Sequence, residues 1–64
     1  MTTTERIKAW ANKNYETSYG ASALVDTYTD DELAKEFASL ADAKAWAKLH
    51  DEAYAEVRAE AGEW

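Results

Sequence analysis

The sequence has no cysteine and no proline, only two glycines and a single histidine. Without cysteine, neither a disulfide nor a thiolate metal site can brace the chain. Stability must then come from packing or from a partner, and a reducing compartment suits such a chain. Without proline, and with alanine, glutamate and lysine abundant, nothing in the composition opposes helix. No stretch approaches the roughly 18 apolar residues that span a bilayer, and Met1-Thr2-Thr3-Thr4 lacks the basic and apolar regions of a secretion signal. The expectation is a soluble chain whose residues 1–64 form a single small domain. That length lies near the lower limit for independent folding and leaves no room for a buried catalytic cleft.

Positive charge is the other scarcity. Lysine and arginine number 7 against 13 acids, a net charge of −6. The imbalance is uneven: residues 1–25 carry Arg6, Lys8 and Lys13 against Glu5 and Glu16, whereas residues 26–64 carry eleven acids against Lys35, Lys44, Lys48 and Arg58. Affinity for a phosphate backbone comes largely from lysine and arginine displacing counterions. Direct nucleic-acid binding is therefore disfavoured, and no membrane association is expected.

What is present is helical periodicity. Ile7, Trp10, Ala11 and Tyr15 make one apolar stripe behind a capping box of Thr2 and Glu5. Ala21, Leu24, Val25 and Tyr28 repeat at helical spacing, and alternation as a strand leaves neither face of that stretch apolar. Thr17-Ser18-Tyr19-Gly20 then reads as a joint between helices, with Thr17 or Ser18 as cap and Gly20 permitting a bend. Thr29-Asp30-Asp31-Glu32 is a second capping box, with acids where the helix dipole favours them, and it leads into Leu33 and Phe37. A further start lies near Ser39. The last helix carries a stripe of Leu40, Ala43, Ala47, His50, Tyr54, Val57, Ala61 and Trp64, flanked by Trp46, Leu49 and Ala53. The predicted fold is all-α, a small bundle of three or four helices. The alternative is an N-terminal β-hairpin over residues 6–28 packed on two helices.

Residues that could carry chemistry are few. His50-Asp51-Glu52 offers a base beside two carboxylates, but neighbouring helix positions are about 100° apart, so the three side chains diverge. There is no second histidine for a helical metal pair. Asp30-Asp31-Glu32 lacks the ligand spacing and glycine turn of a calcium loop, and helix capping accounts for it. No phosphate-cradling glycine loop and no serine near a base stands out. No catalytic, cofactor or metal residues are expected, and the chain is not expected to be an enzyme.

Two features point outward instead. Eight large rings are too many for so small a domain to surround. Trp10, Trp46 and Phe37 suit the core, while Tyr19, Tyr54 and Trp64 suit an interface, where tyrosine and tryptophan anchors concentrate binding energy. In the last helix Lys44 and Lys48 precede a crowd of Asp51, Glu52, Glu56, Glu60 and Glu63. That end already presents the negative pole of the helix dipole, so the arrangement opposes stability. It is either a solvated face or a surface for a basic partner.

The layout Asn14-Tyr15-Glu16, then Gly20, then Leu24-Val25-Asp26-x-Tyr28, an acidic helix start and a final Tyr54-x-x-Val57-Arg58-Ala59-x-Ala61 resembles short uncharacterised proteins of actinobacterial phages. It departs from them by two extra residues before Gly20 and by Asp26 where they carry glutamate. The resemblance implies a phage origin and action by binding a bacterial protein in the host cytoplasm. The expected function is a small acidic protein-interaction module that modulates or inhibits a host or defence protein. Its contact residues would be Tyr19, Glu52, Tyr54, Glu56, Glu60, Glu63 and Trp64, with Tyr54 and Trp64 as anchors and the glutamates as a charged rim. The alternatives are a structural helical homodimer without a separate target, and a nucleic-acid mimic occupying a DNA- or RNA-binding groove.

Overall fold

The computed structural model describes residues 1–61. Four helices follow one another: α1 (Thr3–Lys13), α2 (Tyr19–Asp26), α3 (Asp30–Glu36) and α4 (Leu40–Ala61). No strand occurs among the described residues, so residues 6–28 form two helices and a joint rather than a hairpin.

The helix starts follow from local chemistry. Thr2 accepts a bond from the Glu5 amide at 3.1 Å while its own N–H donates to the Glu5 carboxylate at 3.0 Å. The same reciprocal pair at Thr29 and Glu32 opens α3, at 3.0 and 3.2 Å. Each box satisfies amides that the first helical turn leaves without partners. Asn14 closes α1, its side-chain amide donating to the Trp10 carbonyl at 2.9 Å. Ser18 then caps α2, accepting from the Ala21 amide at 3.1 Å. Phe37 takes an extended conformation and breaks the chain between α3 and α4, so the two are separate helices.

Because α3 has only seven residues, its cap matters more than most. Thr29→Ala is expected to cost about 1 kcal/mol and to act locally. Amide exchange should quicken over residues 30–36 while α2 and the first half of α4 keep their protection. Uniform loss of protection would show instead that α3 and the rest unfold as one unit.

Ile7 and Ala11 of α1, Ala21 and Leu24 of α2, Leu33, Phe37, and Ala43 and Ala47 of α4 are buried together, with Trp10, Val25, Tyr28, Leu40 and Trp46 packed around them. Helix α2 lies between α1 and α4, and α3 packs on α1. Tyr28, Phe37 and Trp46 meet edge to face, with centroids 5.6 to 5.9 Å apart, and close the core beside the α3–α4 break. The core is small: among the described residues only Ile7, Leu24 and Leu33 of the large side chains are fully buried.

Gly20 does not serve as a bend. It sits inside the first turn of α2 and is buried, and a β-carbon there would stand 2.5 Å from the Ala47 α-carbon and 2.7 Å from its carbonyl carbon. Glycine is present so that the α2 and α4 backbones can touch.

The lengths of the helices set the rest of the shape. Helix α4 has 22 residues and α2 has eight, about 33 Å against 12 Å at the helical rise. The molecule is accordingly drawn out to 42 × 18 × 17 Å. The apolar stripe of α4 is covered through Ala47 and half-covered at His50, but Tyr54 and Val57 continue it past the end of the bundle, where Val57 is exposed.

Candidate functional site

Where α2 begins against the middle of α4, one carboxylate organises the contact. Asp51 Oδ2 accepts the Ser18 hydroxyl at 2.6 Å and Oδ1 accepts the Gly20 amide at 2.9 Å, with the Tyr19 amide also directed at it. Partial burial pushes this carboxyl up, but the bonds from Ser18, Gly20 and Tyr19 and the nearby His50 outweigh burial and hold it below the usual carboxylate range. The need is visible in α2 itself. Helices α1 and α3 bring acids in their first turns and α2 brings none; Ser18 takes the Ala21 amide, and the charged acceptor for the Gly20 amide comes from α4. Asp51 therefore belongs to the helix contact rather than to the acidic crowd in which its sequence neighbours place it.

The contact fixes Tyr19 at the first position of α2, and Tyr19 lies within a row of stacked rings. Its ring lies 4.3 Å from Tyr54 at 7° and 5.6 Å from His50 at 9°, and His50 lies 4.3 Å from Trp46 at 21°. Offset stacking of this kind adds to the energy of area burial and holds the rings in register. The Arg58 guanidinium stands 5.6 Å over the Tyr54 ring, a favourable contact between a cation and a π face. Tyr19 and Tyr54 are nonetheless 48% and 42% exposed, and Val57 beside them 63%.

A shallow hollow of about 300 Å³ runs along this face, lined by Tyr19, His50, Ala53, Tyr54 and Val57. None of these is a carboxylate, lysine or arginine. Across the tyrosine pair lies a second, more polar concavity of about 570 Å³ whose lining includes Tyr15, Ser22, Asp51 and Arg58. Tyr15 is tied down there, its hydroxyl donating to Asp26 at 2.8 Å; that bond and the carboxylate's charge raise the phenol above its ordinary value. His50 is stacked between Tyr19 and Trp46, and the Ser18 hydroxyl donates to Asp51. Among the described residues no group of three His, Asp or Glu side chains is placed to hold a metal ion.

Of the residues expected at an interface, Tyr19 and Tyr54 meet. Glu52, Glu56 and Glu60 are exposed, but they do not share that face. At about 100° per residue, Glu52 and Glu56 point roughly 160° away from Tyr54, and Glu60 roughly 120° away. The glutamates form a ridge along the back of α4, not a rim around the tyrosines. Glu63 and Trp64 lie outside the described residues. His50, Ala53 and Val57 complete the ring face, and their signal in the sequence is the helical stripe continuing beyond the reach of an eight-residue α2; Leu49, also exposed, stands about 140° from Tyr54, on the side of the glutamates.

No described helix is long and apolar enough to cross a membrane. Comparison of the chain with protein-family models, with curated proteins and with solved structures found no match to any of the three.

Proposed function

We propose that this chain is a non-catalytic protein-interaction module that docks on a protein target through the Tyr19–Tyr54 face of α4. The supporting observation is the stacked, half-exposed tyrosine pair, held by the Asp51 contact and bordered by exposed Val57. Rigid aromatic side chains lose little conformational entropy on binding and supply large contact area, which is why such anchors dominate interface energetics. The resemblance to phage proteins adds that the target is a bacterial protein, a defence protein being one form, bound and modulated or inhibited in the host cytoplasm. In this reading the glutamate ridge faces away from the contact and keeps the chain soluble.

The test is affinity capture from a bacterial lysate, followed by calorimetry of the identified protein with variants of each face. Tyr54→Ala is expected to weaken binding by about 2 kcal/mol, roughly 30-fold. Glu56→Lys should change affinity by no more than about threefold and act mainly through the salt dependence. The reverse pattern, binding lost on charge reversal at Glu52, Glu56 and Glu60 and retained in Tyr54→Ala, would replace this reading with nucleic-acid mimicry. That alternative draws on three carboxylates spaced about 6 Å apart along one ridge.

A further inference from the structure

We infer that Tyr19 and Tyr54 form a site of oxidative cross-linking, at which hydrogen peroxide activated by a haem peroxidase joins the two rings into a dityrosine that staples α2 to α4 within one chain. The inference stands apart from the docking reading, since it concerns a covalent change at the pair whatever the face binds.

Two phenols couple when both are open to an oxidant and the rings meet before either radical is quenched. Tyr19 and Tyr54 are both half-exposed, their centroids are 4.3 Å apart and their planes differ by 7°. An offset stack at that separation brings the ring edges into van der Waals contact, so coupling asks the rings to swing and leaves the helices in place. The backbone holds the pair ready. Asp51 accepts from the residues on both sides of Tyr19, through the Ser18 hydroxyl and the Gly20 amide, and it lies less than one helical turn before Tyr54.

The other tyrosines are placed differently. The Tyr15 hydroxyl donates to Asp26, and Tyr28 meets Phe37 and Trp46 edge to face. Tyr19 and Tyr54 are the stacked tyrosine pair among the described residues. The same column also feeds them. An electron vacancy that begins on the Trp46 indole has a stacked path through His50, at 4.3 and 5.6 Å, to the Tyr19 phenol, which becomes a neutral radical once its proton leaves to water. Coupling between chains is opposed by a net charge of −6 on each.

The reaction balances. Each phenol gives up one electron and its proton, and the two radicals pair in a carbon–carbon bond between ring positions ortho to the hydroxyls. The hydrogens on those two carbons then move to the oxygens as the rings regain aromaticity. The peroxide takes up the two electrons and two protons and leaves as two waters, and the haem returns to its starting state.

The test treats the full chain with a haem peroxidase and hydrogen peroxide at about 1 μM and about 100 μM, both well below the millimolar effective concentration of tethered groups. The expected product has the single-chain mass of 7.2 kDa less two hydrogen atoms, shows dityrosine fluorescence, and forms in the same yield per chain at both concentrations. Fragmentation should join position 19 to position 54. Tyr19→Phe and Tyr54→Phe keep both rings in the stack and should each lower that yield at least about 10-fold, whereas Tyr15→Phe and Tyr28→Phe should leave it unchanged. The linked chain should unfold at higher urea than the parent, because closing the segment from 19 to 54 removes freedom from the unfolded state. A chain that gains no internal link overturns the inference, as does a product made mainly of two joined chains or a link that survives Tyr54→Phe. A main link between Tyr15 and Tyr19, the pair a chain without this fold would favour, overturns it too, and so does a linked chain less stable than the parent.

Discussion

Gly20→Ala is expected to lower the stability of this domain by about 2 kcal/mol or more, although alanine is the better helix former by about 1 kcal/mol. The added carbon would meet the Ala47 α-carbon at 2.5 Å and its carbonyl carbon at 2.7 Å. These are backbone atoms in the middle of a 22-residue helix, so no side chain can rotate out of the way. Helices α2 and α4 must separate instead, and the seam that opens is the one in which Ala21, Ala43 and Ala47 are buried. A chain of this size holds only a few kcal/mol in reserve, so a substantial unfolded fraction should be present at room temperature. Urea unfolding checks this through the midpoint at unchanged slope. A variant as stable as the parent, or more stable, would mean that propensity outweighs the contact and that the helices are not pressed together at Gly20.

Asp51→Ala comes second, at about 2–3 kcal/mol, since it removes a charged acceptor from the Ser18 hydroxyl and from amides at the start of α2. Asn at this position keeps the shape and part of the bonding and should lose about half as much. The carboxyl is held below the usual carboxylate range in the folded chain, which fixes the sign of its pH dependence. Its contribution is complete above the unfolded value, near pH 4, and is lost as pH falls through the depressed folded value. Glu5, lowered by its bonds to the Thr2 backbone and hydroxyl, acts in the same direction. Asp51→Ala should therefore reduce the acid destabilisation of the parent without abolishing it. Thermal midpoints at pH 7 and pH 3 for both chains give the comparison. An equal drop in the two would show that the Asp51 bonds do not contribute to stability.

The features legible in the sequence are those whose cause is local. Thr2 with Glu5 and Thr29 with Glu32 mark helix starts because both partners of each box lie within one turn. The spacing of Ile7 and Ala11, and of Ala21 and Leu24, marks the buried faces of the two helices between which the chain turns at residues 14–18. Asp51 and Gly20 were misread because their partners are far along the chain, with the Asp51 bonds spanning 31 and 33 positions. Next to Glu52 an aspartate reads as one more surface charge, and next to Ser18 a glycine reads as a flexible joint. The candidate site was half legible. Tyr19 and Tyr54 were singled out, and their stacking follows from the fold. Their separation from Glu52 and Glu56 was already contained in the number two, since residues two apart on a helix face nearly opposite ways.

The joint between α2 and α4 also sets the terms on which this chain can drift as it is copied. Loss of the aspartate at position 51 strands the hydroxyl at 18, so the two sites should change in concert or not at all. Enlargement at 20 asks for a withdrawal at 47 that a main chain cannot make. Positions 52, 56 and 60, on the outer side of the last helix, are under no such constraint from the fold, and descendants should scatter there first.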